Sequence, residues 1–439
     1  MERLAWLVVI GACGAALSAP AAGAPVAAKS LAQPTLTTTG PAWQGLYAGI
    51  YASDDLTALH LAVPGSASFD GIGGQSEFAG ALLGFNHRFS ERVVGGAEID
   101  AALARGGSHF DVNDGSDFFA SSITPEWGAS AKGRIGYLIS PDTLLYAVGG
   151  GVVAVASYGC EASVTDCPDR TQKTLYGWPL VGLGAETQIG RNWRFRYEYD
   201  IKFLPTLSFD PIEVTPLSGT ANVALIYGFG QNDGTPATHP TFGYAPPTWT
   251  GLHGGIAGGH AMSVTSFDGS SGSFSGSFDG LGGGGLTVGV FGGYDQQIGN
   301  FVAGVEGGYY VNGGRLQSSV SGLGSVTATA NSYYSLRGRA GVIVNPSTMI
   351  YALAGWIHAD GTINLYNNGG TVIDGGAFSR EGKEFGGGVE TWVNRRLSIR
   401  AEYAYATFDN GLPDVPLDVL QVHSRVGTAT LAAVLHFGQ

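Results

Sequence analysis

The sequence contains few charged residues. Asp, Glu, Lys and Arg make up 13% of the 439 residues, whereas a typical soluble domain carries about 25%. The 22 basic residues are outnumbered by 35 acidic ones, and they form no cluster interleaved with aromatic side chains. The chain therefore lacks the electrostatic footprint of a nucleic-acid-binding protein, and we expect no nucleic-acid partner.

Long apolar runs are missing everywhere except at the N-terminus. The stretch from Leu4 to Ala19 is largely apolar and leads into Pro-Ala-Ala-Gly-Ala, which is typical of a secretory signal peptide. We assign residues 1–24 to this signal peptide and residues 25–40, rich in Pro, Thr and Ala, to a short leader. No later run of 18 apolar residues exists that would form a transmembrane helix. If the protein spans a membrane, it must do so with strands.

Cysteine is scarce as well, with three residues in the chain. Cys13 lies inside the predicted signal peptide, so the exported protein keeps Cys160 and Cys167. These two residues lie close together in a polar stretch, and an oxidising compartment favours a disulfide between them. A two-ligand metal site is the weaker alternative, because no His or further Cys lies nearby in the sequence.

Catalytic and metal-binding motifs are also absent from the sequence. No Gly-x-Ser-x-Gly element occurs, which argues against a serine hydrolase of that type. The nine His residues show no His-x-x-x-His spacing or related ligand pattern. We therefore predict that the protein is not an enzyme and that it has no metal and no cofactor.

What the sequence does have is glycine and aromatic residues. The 72 Gly residues occur in short clusters without a three-residue period, which excludes collagen. The 19 Tyr, 21 Phe and 8 Trp residues supply burial that a disordered glycine-rich polymer lacks. The chain is therefore expected to fold, with closely packed strands at its glycine clusters.

The two halves of the chain repeat one another at an offset of about 205 residues. Trp43-Gln-Gly-Leu-Tyr matches Trp249-Thr-Gly-Leu-His, and Lys132-Gly-Arg-Ile-Gly matches Arg337-Gly-Arg-Ala-Gly. Between the copies, residues 231–248 are rich in Pro, Gly and Thr, which is typical of an extended linker. We assign residues 41–230 and residues 249–439 to two copies of one domain.

Each copy contains eight segments in which apolar and polar residues alternate, the pattern of a strand with two different faces. The clearest is Trp193 to Ile201, where aromatic residues alternate with Arg and acidic residues. Short turns such as Ser140-Pro-Asp-Thr alternate with long polar connections such as Asp54 to Gln75, which is typical of a transmembrane β-barrel. We also expect Gly106 to Pro125 to be a loop and Ser263 to Gly285 to be a flexible surface loop.

The predicted fold class is all-β, with two consecutive eight-stranded antiparallel transmembrane β-barrels and one sixteen-stranded barrel as the alternative. An eight-stranded barrel encloses just enough space for side chains, so we expect charged residues of the inner face to pair with one another. The predicted barrel-interior charge network consists of Glu98, Lys132, Arg134, Glu186, Arg196, Glu198, Glu306, Arg337, Arg339, Glu390, Arg400 and Glu402. A catalytic acid pair or a proton path is the alternative interpretation, but both copies repeat the same residue types, as a packed barrel requires.

In these features the sequence resembles the outer-membrane immunogenic and opacity-type surface proteins of Gram-negative bacteria, whose barrels are similar to the OmpA type. The resemblance rests on the signal peptide, the Trp-x-Gly-x-Tyr opening at Trp43, the Gly-Arg-x-Gly strand before a Pro turn, the Tyr-Ala-x-x-Gly strand after it, and a closing strand with a late aromatic residue. That family normally has one barrel per chain, whereas these features occur twice here.

The resemblance implies a place in the outer membrane and a role in envelope integrity and surface interaction, as an antigen or adhesin-like protein without catalysis. The implied partners are outer-membrane lipid and lipopolysaccharide, the barrel assembly machinery, and host or environmental surface ligands. The alternative function is a porin-like channel for small solutes, which a sixteen-stranded barrel would provide. The separate opening and closing strands of each copy favour two barrels.

Overall fold

The structure, a computed structural model, describes residues 43–113, 117–162, 172–203, 207–209, 212–229, 247–271, 274–321, 324–409 and 420–438. The predicted signal peptide, the leader, most of the linker and Cys167 lie outside these residues. The domain boundaries and the Cys160–Cys167 disulfide therefore stay predictions. Within the described ranges, no helix has the length and hydropathy needed to cross a membrane.

Nine strands form the first half of the chain. In order, they are β1 Gly45–Val63, β2 Ala67–Arg88, β3 Val93–Asn113, β4 Phe118–Ser140, β5 Thr143–Ala162, β6 Gln172–Gln188, β7 Trp193–Phe203, β8 Leu207–Phe209 and β9 Ile212–Gly228. Consecutive strands pair antiparallel from β1 to β7. β7 then pairs with β9, and β9 returns to β1. Eight strands thus close a ring, and the three-residue β8 pairs only with the start of β9 among the described strands.

Nine strands also form the second half. They are β10 Gly251–Ser271, β11 Phe274–Ile298, β12 Phe301–Asn312, β13 Arg315–Val320, β14 Gly324–Asn345, β15 Thr348–Tyr366, β16 Val372–Trp392, β17 Leu397–Asp409 and β18 Leu420–Phe437. The ring runs from β10 through β11, β12 and β14 to β18, which pairs back to β10. β13 pairs with β14 beside the ring's long hairpins.

Each ring closes on itself. In the first ring, the amide of Phe229 donates to the carbonyl of Leu46 at 2.8 Å, and in the second, Leu252 pairs with Phe437. The prediction of two eight-stranded barrels is therefore confirmed, and the alternative of one sixteen-stranded barrel is wrong. The physical reason is that the last strand of each copy pairs with the first strand of the same copy, so each ring closes without using a strand of the other.

The predicted short turns all lie at one end of the two barrels, which we call the short-turn end. They connect β2 to β3, β4 to β5 and β6 to β7 in the first barrel, and the equivalent strands in the second. Side chains fix these turns: the Ser90 hydroxyl accepts from the Val93 amide at 3.1 Å, and Asn394 Oδ1 accepts from the Leu397 amide at 3.0 Å. Ser and Asn favour such local turns because their side chains accept hydrogen bonds from the backbone.

The opposite end, which we call the long-hairpin end, differs from the sequence-based prediction. β1 continues to Val63 and β2 begins at Ala67, so Asp54 to Gln75 is a hairpin with a short turn instead of a long loop. Gly106 to Pro125 and Ser263 to Gly285 are likewise largely strand. Gly has a low strand propensity, but here each extension has a neighbouring strand that pairs with its backbone.

An apolar band encircles the outer faces of the barrels. On β4, Trp127 and Tyr137 lie ten positions apart with exposures of 40% and 48%, and on β7 Trp193 and Phe203 repeat that spacing. Aliphatic side chains such as Ile135 are exposed between them. About ten residues of tilted strand cross a bilayer's hydrocarbon core, and aromatic residues favour its two interfaces. The outer faces therefore suit contact with lipid.

The second barrel carries the same two aromatic edges on its outer face. Exposed aromatic residues on the short-turn side are Tyr294, Phe301 and Phe437, and those on the long-hairpin side are Tyr309, Tyr334 and Trp356. Both barrels thus have one band of similar height, and the strands continue beyond it towards the long-hairpin end.

Candidate functional site in the barrel interiors

Paired charges fill the interior of the first barrel near the short-turn end. Arg196 on β7 binds Glu98 on β3 at 2.7 Å and Glu186 on β6 at 2.9 Å. Because β3 and β7 are not neighbours in the ring, the pair of Arg196 and Glu98 crosses the interior. Arg134 on β4 binds the same Glu186 at 2.7 Å. These residues point inward because successive side chains of a strand alternate between its two faces and all four lie on the inner face.

A second layer of charges lies further towards the long-hairpin end of the first barrel. Lys132 Nζ is 2.8 Å from Glu198 and 3.3 Å from Asp200. Beyond it, Lys202 binds Asp55 at 2.7 Å. Ion pairs thus follow one another along the barrel axis and occupy its interior.

The second barrel repeats the first layer of this arrangement. Arg400 binds Glu306 at 2.7 Å and Glu390 at 3.0 Å, with the same geometry as Arg196 in the first barrel. Arg337 also binds Glu306, at 2.6 Å. β12, which carries Glu306, and β17, which carries Arg400, are not neighbours in the ring, so this contact crosses the interior too.

The structure places all twelve predicted network residues in these two clusters, six in each barrel. Eleven of them are buried, and the side chain of Lys132 is 10% exposed. The remaining pairs are those of Arg339 with Glu390 and of Arg337 with Glu402, both at 2.8 Å. Each of these charged side chains contacts more than one partner.

Sequence reasoning missed several members of the clusters. Asp295 Oδ1 accepts from Arg339 Nε at 2.9 Å, and His253 Nε2 lies 3.0 Å from Glu306. Strand alternation could have identified Asp295. It pairs with Gly304, which lies two positions from Glu306 on β12 and therefore faces the same side of the strand. Other buried members that the prediction omitted are Asp55, Arg194, Asp200 and His436.

The outer faces of the two barrels meet along a contact that we call the seam. Its apolar part joins Leu56 and Ala58 of the first barrel to Met262 and Val264 of the second. A second cluster contains Ala185, Tyr197, Ala221 and Ala401. The sequence analysis did not predict the seam, because an outward apolar residue looks the same whether it faces lipid or another barrel.

Equivalent residues of the two copies meet in the seam. Thr143 and Thr348, which are 205 positions apart, share a hydrogen bond of 2.9 Å. The Tyr403 hydroxyl donates to Asp54 at 2.8 Å, and its counterpart Tyr199 lies 3.0 Å from the ring of His260. Asp54 and His260 are also equivalent residues of the two copies, so each contact is the counterpart of the other. The barrels are therefore arranged about a pseudo-two-fold axis, as in a symmetric dimer.

The two barrels also pair through their backbones at the long-hairpin end. β3 pairs antiparallel with β11, where Asn113 faces Ser275 and Phe110 faces Phe278. β2 pairs with β13, where Phe69 faces Ser318. The extended hairpins of the two barrels therefore form one continuous wall.

Comparison with known proteins matches one part of the chain to a family model. Residues 243–427, which cover most of the second barrel, match the family model described as outer membrane protein beta-barrel domain. No curated protein matches the chain.

Solved structures of low similarity include two small barrels and one transporter. Ail, the attachment invasion locus protein of Yersinia pestis, is 17% identical over 42% of this chain and 99% of its own, with a TM-score of 0.23. Neisserial surface protein A is 14% identical over 42% of this chain and 97% of its own, with a TM-score of 0.23. The P. putida toluene transporter TodX is 9% identical over 90% of this chain and 91% of its own, with a TM-score of 0.26. Scores this low carry no argument about function.

The family match covers the second barrel, and the repeat relates the first barrel to it. The second barrel matches the family directly, and the first shares its strand order, its closure and its crossing Arg–Glu contacts. The chain therefore carries two barrels in tandem, and the second of them matches an outer-membrane β-barrel domain.

Proposed function

We propose that the protein is a closed, non-conducting pair of barrels that supports the envelope and displays a joined surface outside the cell, without catalysis. The observation that carries this proposal is the set of Arg–Glu contacts that cross each barrel interior. In barrels of this kind the short turns face the periplasm and the longer connections face outward, so we assign the long-hairpin end to the outside.

The interior packing supports closure against solutes. Arg134 lies over the rings of Tyr47 and Tyr146 at 4.9 and 5.0 Å while it binds Glu186. A passing ion would have to separate such buried pairs, and leaving one buried charge unpaired costs about 3–5 kcal/mol. The closed interior therefore favours a structural role over transport.

The joined wall at the long-hairpin end supports surface interaction. It combines hairpins of both barrels, through β3 with β11 and β2 with β13, and so presents more ordered strand surface than one barrel alone. We infer host or environmental surface ligands as partners of this wall. Lipid and lipopolysaccharide are the proposed partners of the outer band, and the barrel assembly machinery is the proposed partner during insertion.

Single-channel conductance of the purified protein in a planar bilayer tests closure. We expect no large, steady openings, because both interiors contain cross-barrel ion pairs. A sixteen-stranded porin measured in the same bilayer is the positive control. Large, steady openings from this protein would overturn the proposal and favour a solute channel.

Epitope tags test the assignment of the outer end. A tag inserted after Asn368, in the exposed turn between β15 and β16, is expected to bind antibody on intact cells. The matched tag after Gly299, in the exposed turn between β11 and β12, is expected to bind only after the outer membrane is opened. The reverse pattern would place the joined wall in the periplasm and rule out display.

A further inference from the structure

The second barrel holds a cavity that its charge network leaves open. The cavity has a volume of about 70 Å³, and the residues around it include Tyr310, Tyr333, Arg337, Glu384, Ala406 and Phe408. One water molecule needs at least roughly 10–15 Å³ measured in this way. The space therefore fits a few water molecules or one small organic molecule.

The cavity arises from a difference between the two copies. On β7 of the first barrel, Asp200 and Lys202 project inward and join the ion pairs. The equivalent positions on β17 of the second barrel are Ala404 and Ala406, and both line the cavity. Replacing two charged side chains by methyl groups leaves the space empty.

Glu384 on β16 stands in the wall of this cavity with unused hydrogen-bonding capacity. The residue is 3% exposed, and its Oε1 atom has no hydrogen-bond partner among the described residues. Its ion-pair contact is with Arg337 at 4.0 Å, but that Arg337 already binds Glu306 at 2.6 Å and Glu402 at 2.8 Å. The equivalent residue of the first barrel is Leu180, which carries no charge. A buried carboxylate needs partners, and Glu384 has Arg337 only at 4.0 Å and shares it with two other Glu residues.

Aromatic rings line the cavity beside this carboxylate. Tyr310 and Tyr333 stack with ring centroids 4.8 Å apart, and Phe408 lines the cavity as well. In the first barrel the residues equivalent to the stacked pair are Ala102 and Gly128, so the rings occur only in the hollow copy. Aromatic rings attract cations through their negative faces, and they also accept alkyl groups.

We propose that this cavity binds a small organic cation of the alkylammonium class. The ammonium group donates to Glu384, and the alkyl part packs against Tyr310 and Tyr333. Glu402, which also lines the cavity, adds negative charge and disfavours an anion. This site goes beyond the display role, and its test does not depend on that role.

Saturation-transfer NMR with ethylammonium and the full chain in detergent micelles tests the proposal. We expect the wild-type protein to transfer saturation to ethylammonium and not to ethanol, which has the same number of heavy atoms and no charge. Glu384→Gln is expected to weaken binding roughly tenfold, the effect of losing one charge-assisted hydrogen bond. The matched control is Glu381→Gln on the same strand, whose side chain is 71% exposed and which should bind like wild type. Equal transfer to both probes, or an unchanged Glu384→Gln variant, would overturn the proposal.

A second pair of variants keeps the proposal testable if Glu384→Gln fails to fold. Ala406 pairs with Glu384 across β16 and β17, so Ala406→Lys tethers an ammonium group opposite the carboxylate. Ala406→Met supplies a chain of similar size without the charge. We expect Ala406→Lys to unfold at a higher temperature than Ala406→Met and to block ethylammonium binding. If the Lys variant is no more stable than the Met variant, Glu384 does not attract a cation there and the site is wrong.

Discussion

The two barrels share one scaffold and differ in what fills it. Near the short-turn end, Arg196 and Arg400 each bind two Glu residues, one on the neighbouring strand and one across the interior. Towards the long-hairpin end, the first barrel continues with Lys202 and Asp55, whereas the second has Ala406 and a cavity. One layer of crossing charges therefore accompanies closure in both copies, while the space above it differs between them.

The shared layer also differs between the copies around its central carboxylate. In the first barrel Arg194 binds Glu186 at 2.8 Å, but the equivalent residue of the second barrel is Ser398. There His436, from β18, lies 3.1 Å from Glu390. One copy therefore holds its central carboxylate with a third guanidinium group, and the other holds it with an imidazole and a hydroxyl.

Removal of the crossing arginine is expected to have the largest effect. Arg196→Ala or Arg400→Ala leaves two buried Glu residues short of a partner, which should lower the free energy of unfolding by about 3–5 kcal/mol. Arg400→Ala should be the more damaging, because only the first barrel keeps Arg194. Urea unfolding of the full chain, followed by the heat-dependent gel shift, measures both. Arg395→Ala in an exposed turn is the control, and equal losses in all three variants would refute a special role for the crossing pairs.

The exchange within the shared layer predicts a smaller difference. Arg194→Ala should cost about 1.5–3 kcal/mol, as expected for a hydrogen bond to a charged group. His436→Ala should cost less, because Glu390 keeps Arg339, Arg400 and the Ser398 hydroxyl. The same unfolding assay compares the two variants. A larger loss for His436→Ala would show that the imidazole is the main support of its carboxylate.

The next smaller effects are expected at the two seam contacts that the pseudo-two-fold axis relates, and the two losses of unfolding free energy should be unequal. Tyr403→Phe removes a donor to the carboxylate of the half-buried Asp54 and should cost about 1–3 kcal/mol, because the acceptor is charged. Tyr199→Phe removes a contact to the half-buried His260 and should cost about 0.5–1.5 kcal/mol. Unfolding free energies of the two variants test the order. Tyr309→Phe, on the exposed outer face, should be neutral, and a neutral Tyr403→Phe would mean that the seam is not closed.

The smallest effect is expected where the hairpins join. Ser319→Pro removes a backbone donor from β13, which pairs with β2 through residues 318–320. Because the ring strands keep their own partners, unfolding free energy should change by less than about 1 kcal/mol. Hydrogen exchange of the amides of residues 67–69 should nevertheless become faster. Unchanged exchange would show that the two barrels are not coupled at this wall.

Strand parity explains what the sequence could predict. Alternation places Glu98 and Lys132 on inner faces once a barrel is assumed, and the repeat doubles the evidence, so the fold class and the twelve charged residues followed from pattern alone. The strand extensions at the long-hairpin end could not be predicted from the sequence. Their Gly-rich segments have a low strand propensity and form strands only where a neighbouring strand pairs with their backbone. The cavity could not be predicted from the sequence either. The second copy has Ala in place of Asp200 and Lys202, but the effect of this change becomes visible only when the pairing of β17 with β16 is known.

The seam has a consequence for how the protein holds together. Thr143 meets Thr348, its own equivalent in the other copy, which is the kind of contact that two identical subunits make across a two-fold axis. Placing both subunits in one chain turns a bimolecular encounter into an intramolecular one, which raises the effective concentration of each barrel at the other. Dilution in the membrane, which separates ordinary dimers, would therefore leave this pair intact. The interiors of the two barrels can then diverge while the barrels stay associated.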